Sequence, residues 1–246
     1  MRILFIVAAL LCGPVAVSAA QLPQAPQLSA AAAQRIAPLI EAYRKLDQDL
    51  ATLPAPKDDA ERLLRLKRRD ELGRVLYRQI DFVSLPLEEG RAAVQAAQLE
   101  IERNDIENQK QLKAMLPQRG WFLKSEVGAE AVAAAWLIVQ HAINSDIALV
   151  RHVLASMKAL LPTGEVEKGD YAMLADRVSV VDGVRQTYGT QMICNEFKWV
   201  LYPVEDEAGV DARRKEMGIE VTLADQLAQF ATRSCPIAKY AGPIPK

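Results

Sequence analysis

Two histidines and three cysteines occur among 246 residues, so imidazole and thiol chemistry have few places to sit. His141 closes a stretch, Ala129 to Ala142, that is apolar on nearly every side and carries Trp136-Leu137-Ile138-Val139 in a row. An imidazole there is buried or stands at a cleft wall, and its two ring nitrogens need partners. Gln140 is its immediate neighbour. Three roles fit: a hydrogen-bonded core histidine, a general base or ligand-binding group, and a metal ligand. His152 lies beyond the Asn144-Ser145-Asp146 break and does not automatically share a face with it. Neither Cys194 nor Cys235 has a neighbour at zinc-ligand spacing. No phosphate-cradling glycine loop, Gly-x-Ser-x-Gly elbow or His-Glu-x-x-His helix occurs either. The expectation is therefore no metal and no cofactor.

Arginines near apolar stripes form the second group. At helical spacing Val210 and Met217 share a face, and Arg213 and Arg214 flank it. Arg177 sits near the Leu174–Val181 stripe while Asp176 points more away. Inward guanidinium groups need carboxylates or a bound anion. Asp176, Glu205 and Asp206 are the internal choices; an anionic ligand is the other. Between Val184 and Tyr202 the pattern changes to β-branched and aromatic residues joined at Asn195-Glu196, which reads as a hairpin. In such a ribbon Gln186, Tyr188, Thr190, Met192 and Cys194 share one face, and Arg185, Thr187, Gly189 and Gln191 the other. Gly189 inside a strand implies a bulge or a close backbone approach. The ribbon either lines a polar pocket or is an exposed polar hairpin with one packed face.

Helices must position these groups. Ser29 can cap a helix carrying Ile36, Leu39, Ile40, Tyr43, Leu46 and Leu50, stopped at Leu53-Pro54-Ala55-Pro56. Asp58 and Glu61 make a capping-box-like start for a second helix, running to about Ile80 and carrying Arg65, Lys67, Arg68 and Arg69 as a basic cluster. That cluster is either a solvated face or a surface for an anionic partner. A third, more polar helix follows Ser84-Leu85-Pro86 and reaches about Leu116. Further helices are expected over Ala129–Ala142, Asp146–Leu161, Lys168–Val181, Asp206–Met217 and Thr222–Thr232. The fold class is mainly α, a multi-helix domain with one β-hairpin, about 184–202, near the C-terminal end. An N-terminal helical region, 21–116, and a helical and hairpin core, 117–246, are expected to form one compact unit.

The first twenty residues read as an address. Arg2, the apolar run Ile3–Leu11, Gly13-Pro14 and the small residues Ser18-Ala19-Ala20 match a secretory signal peptide cleaved before Gln21. The run is too short for a stable span. Cleavage removes one basic residue and no acidic one, moving the net charge from −1 to −2. The product is expected in the periplasm or outside the cell, with no later membrane span. An oxidising compartment permits Cys194 and Cys235 to pair; closing that loop is worth about 4 kcal/mol in the chain-entropy model. Two buried free thiols are the alternative. Half the residues are apolar and charge is balanced, which excludes a disordered chain and a strongly basic nucleic-acid binder.

A set of ordered segments carries a resemblance. These are Gly120-Trp121, Ala135-Trp136-Leu137, Val139-Gln140-His141-Ala142, Leu174-Ala175-Asp176-Arg177-Val178, Gly183 and Gln186-Thr187-Tyr188-Gly189-Thr190-Gln191. Tyr202-Pro203-Val204-Glu205-Asp206, Val210-Asp211-Ala212-Arg213-Arg214 and Gly218 complete it. Over about Pro117 to Leu223 the chain resembles the bacterial domain-of-unknown-function family 6624. Where that family often reads Leu-Thr-Asp-Arg, Ala175 stands before Asp176, which leaves no hydroxyl there. The resemblance brings no activity. It implies that His141, Asp176, Arg177, Gln186, Tyr188, Gln191, Arg213 and Arg214 belong together.

Three functions follow as expectations. The first is an exported domain whose pocket recognises a small anionic or peptide-like ligand, with Gln140, Asp176, Arg177, Gln186, Gln191, Arg213 and Arg214 as binding groups. The second is a metal-independent hydrolase or lyase with His141 as general acid/base, Tyr188 assisting proton transfer and an arginine stabilising negative charge. The third is a cell-envelope interaction protein whose polar set is an internal network. Accordingly, the partner is an unidentified small molecule or envelope protein, and no nucleic acid.

Overall fold

A computed structural model describes residues 24–195 and 198–233. The signal-like segment, Glu196, Phe197, Cys235 and the Gly242-Pro243-Ile244-Pro245 tail lie outside the described residues. Three long helices come first. α1 (Ala30–Thr52) starts where the Ser29 side chain accepts from the Ala32 amide. α2 (Asp59–Tyr77) starts at Asp58, which accepts from Glu61 N at 2.8 Å while Glu61 Oε2 accepts from Lys57 N. α3 (Leu87–Met115) follows Pro86. α1 packs on α3 through Ile36, Leu39 and Tyr43 against Ala93 and Ala97, whose small side chains admit the close approach.

Next come a single turn, α4 (Lys124–Val127), and α5 (Ala129–His141). α5 is buried on most of its circumference, as its apolar sequence requires: Val132, Ala135, Ile138 and Val139 are all in the core. Trp136 is anchored by its indole N–H donating to the Asp170 carbonyl at 3.1 Å. Asp146 caps α6 (Ile147–Leu160), and α7 (Lys168–Val181) follows. The larger core cluster joins Leu63 and Leu66 of α2 and Leu112 of α3 to Trp121, α5, α6 and α7. α2 and α3 therefore share this cluster with the C-terminal half, while α1 belongs to a second cluster with α3.

β1 (Met192–Asn195) pairs antiparallel with β2 (Lys198–Leu201), in register Met192↔Leu201 and Cys194↔Trp199. A 3₁₀ turn, Glu207–Gly209, leads into α8 (Val210–Glu216), and α9 (Leu223–Ala231) starts at the Thr222 cap. The hairpin is shorter than its sequence pattern. Residues 184–191 form no strand: the amides of Thr187, Tyr188 and Thr190 turn inward to the Asp176 carboxylate of α7, and only Gln186 makes an isolated bridge, to Val204. The alternating faces expected from Gln186 onward thus apply only from Met192. Gly189 has φ 65°, and a Cβ there would stand 3.1 Å from Leu223 Cδ1. The close approach is real, but it belongs to a folded loop. Among the described residues no helix is long and apolar enough to cross a membrane.

Candidate functional site

A cavity of about 670 Å³ opens where four elements meet. α3 contributes Gln98, Ile101, Glu102 and Asp105, spaced so that they share one helix face. α2 contributes Arg74 and Tyr77, the end of α5 Gln140 and His141, the following turn Ile143, Asn144 and Ser145, and α7 Arg177. α5 stops here because the chain turns through residues 142–145 before Asp146 caps α6. That stop leaves His141 at the rim of an otherwise buried helix.

His141 Nδ1 lies 2.9 Å from Asp70 Oδ1. A carboxylate only accepts, so Nδ1 carries the hydrogen and Nε2 is the basic nitrogen. Nε2 has no hydrogen-bond partner among the described residues, and the side chain is 22% exposed. Asp70 itself is 2% exposed and lies on the buried stripe of α2 with Leu63, Leu66 and Gly73. Arg74 Nη1 stands 3.2 Å from it, while Arg74 also grips Asp105 through two bonds of 3.0 and 2.7 Å. Burial raises the Asp105 carboxyl above the usual range despite the facing guanidinium. Burial works to lower the Arg74 pKa, but Asp105 and Asp70 raise it on balance. Asp70 Oδ2 and the Tyr43 hydroxyl are buried without hydrogen-bond partners among the described residues.

Arg177 is the other notable group. No carboxylate lies within ion-pair distance of it among the described residues, and its Nε is buried with no partner. Burial holds its pKa below the normal guanidinium value. A guanidinium stays charged regardless, so the cavity wall carries an uncompensated cation.

The structure divides the residues singled out by sequence. Gln140, His141 and Arg177 line the cavity. Asp176, Gln186, Gln191, Arg213 and Arg214 instead hydrogen-bond the C-terminal loop. Asp176 accepts from the amides of Thr187, Tyr188 and Thr190 and from the Thr190 hydroxyl, at 2.9–3.0 Å. Burial still pushes its carboxyl up, against those bonds. Gln186, fully buried, donates to the carbonyls of Gln191 and Tyr202 and accepts from Gln191 N. Gln191 donates to Thr190 Oγ1. Arg213 donates to the Thr187 and Asp206 carbonyls and to the Asp206 carboxylate. Arg214, 1% exposed, donates to the carbonyls of Val221 and Tyr188 and to Gln226 Oε1. Tyr188 belongs to this loop and does not line the cavity. Cys194 is in β1, and Cys235 lies outside the described residues.

Sequence reasoning missed Asp70, Arg74, Glu102 and Asp105. One signal was available: Asp70 falls in step with Leu63 and Leu66 on an apolar stripe. The more polar third helix exposes Arg103 and Glu107, but its inner side is itself polar, with Asn104, Asp105, Asn108 and Gln109 buried. The basic cluster of α2 is largely paired: Arg65 with Glu61, Lys67 with Glu130, and Arg69 with Asp47 and Asn104. A second cavity of about 490 Å³ borders these arginines, so their charge there is already answered. Among the described residues no three His, Cys, Asp or Glu side chains cluster in a way that could hold a metal ion.

Comparison with known proteins gives one match. A family model described as "Family of unknown function (DUF6624)" covers residues 88–227. That span contains Glu102, His141 and Arg177, and begins after Asp70 and Arg74. No curated protein and no solved structure matches the chain.

Proposed function

Because this chain belongs to the family of unknown function DUF6624, whose description assigns no activity, we propose its function from the cavity itself: it binds a small ligand through an anionic group held by Arg177. One observation carries this reading, a cavity-wall guanidinium with no carboxylate of its own. A half-buried cation is costly without a partner, and a carboxylate or phosphate offers the two-pronged acceptor that a guanidinium suits. The volume falls within the ordinary range for small-molecule pockets. The test is a thermal-shift and calorimetric screen with anionic metabolites and peptidoglycan fragments. Hits should lose about tenfold or more in affinity in Arg177→Met, while Arg213→Lys leaves the affinity intact. Hits indifferent to Arg177 would overturn the reading.

A second reading, acid–base catalysis on the bound ligand, is favoured by the Asp70–His141 bond. Asp70 fixes the tautomer and stabilises the imidazolium that forms when Nε2 takes a proton from the ligand or from water. Its returning proton then completes a hydrolase- or lyase-type cycle without a metal. His141→Gln would then abolish turnover of a hit while leaving its binding in place.

Export rests on residues 1–20 alone. A mature N-terminus at Gln21, with Cys194 and Cys235 joined, is the corresponding proposal. Intact mass before and after reduction reads both.

A further inference from the structure

We infer that the ligand of this cavity is a zwitterion, a free amino acid or short peptide, whose carboxylate meets Arg177 and whose amine meets Glu102. This rests on the proposal that Arg177 binds an anionic group. The charged side chains in the walls sort into those already answered and those left over. Arg74 is held by Asp105 and Asp70, and His141 by Asp70. Two remain. Arg177, on α7, has no ion pair among the described residues, and neither does Glu102, on α3, which is only partly exposed. They have opposite signs, come from different walls and face one cavity.

A ligand bearing negative charge alone would satisfy Arg177 and bring that charge into a space it shares with the Glu102 carboxylate. In a partly desolvated pocket like charges repel more strongly than in water. A ligand carrying both signs removes that conflict and gives each wall group a charge-assisted hydrogen bond. Ile101 and Ile143 supply apolar wall for the body of such a molecule. Amino acids and short peptides combine these features: one carboxylate, one ammonium and a variable side chain in between.

The experiment is calorimetric titration of the full chain with the twenty amino acids and the dipeptide Ala-Leu, each compared with its N-acetyl and C-terminal amide forms. At least one free zwitterion should bind, and blocking either end should weaken it about tenfold or more. Glu102→Gln, at a partly exposed position, should remove the penalty of N-acetylation and leave that of amidation. Arg177→Met should do the reverse. An N-acetylated form that binds as tightly as the free one, still dependent on Arg177, would overturn the zwitterion and leave the anion site standing. So would a panel without binders when simple dicarboxylates bind through Arg177. Failure of every anion would overturn both.

Discussion

A carboxylate in step with Leu63, Leu66 and Gly73 on the inner face of α2 is costly unless its charge is answered. Asp70 is answered twice, by His141 at 2.9 Å and by Arg74 at 3.2 Å, and its position gives the histidine a fixed orientation at the cavity rim. Asp176 shows the opposite use of the same chemistry. It faces no cation within ion-pair distance and serves as acceptor for three loop amides and a hydroxyl. Asp176→Ala should therefore strand buried donors, each worth about 1–3 kcal/mol. The expected loss is about 3 kcal/mol or more, read as a lower urea midpoint with the α-helical signal of the native state retained. Loss of less than about 1 kcal/mol would mean that water reaches those amides.

At the scale of elements, α7 does two things from adjacent sides: it presents Arg177 to the cavity and Asp176 to the loop. Neighbours in sequence diverge by about 100° around a helix, so one turn serves both. The first turn of α7 has its own titratable group. Burial, with Glu167 nearby, raises the Asp170 carboxyl to about 6 from the ordinary 3.8. The folded state then holds the proton more tightly than the unfolded one, so this residue's contribution to stability is fullest below about pH 4 and is lost as pH rises through about 6. Asp170→Asn should raise the thermal midpoint at pH 7 by a few degrees, about 1–2 kcal/mol after allowing for the group's partial solvent access. The gain should shrink on acidification and be gone near pH 4. A gain independent of pH would assign the effect to something other than this proton.

At the scale of the molecule, the larger of two core clusters crosses from the first half of the chain to the second, while α1 packs in the smaller one. Leu63, Leu66 and Leu112 from the first half pack in the same cluster as Trp121, Ile138, Val153 and Leu174 from the second. The family match begins only at residue 88, yet α2 covers the central helix α5 and supplies the Asp70 that orients His141. A fragment of residues 117–246 should therefore show no cooperative thermal transition, whereas the full chain should. Differential scanning calorimetry of the two distinguishes this from a C-terminal half that folds by itself.

What the sequence determined follows from short-range physics. Caps at Ser29, Asp58, Asp146 and Thr222, together with apolar spacing, set the helices to within a few residues. The nearly continuous apolar surface of α5 set its central burial. His141 and Arg177 stood out as polar groups at apolar positions, and both line the cavity. What tertiary structure decided was pairing. Residues 184–191 carry strand-forming side chains, but three buried amide bonds to Asp176 outweigh that preference. Arg177, Arg213 and Arg214 look alike in sequence, each an arginine beside an apolar stripe. Only the folded chain brings carbonyls to two of them and leaves the third facing open space with Glu102 in the same cavity. Asp70 and His141 stand 71 residues apart, and no local pattern can register a contact made by the packing of α2 against α5.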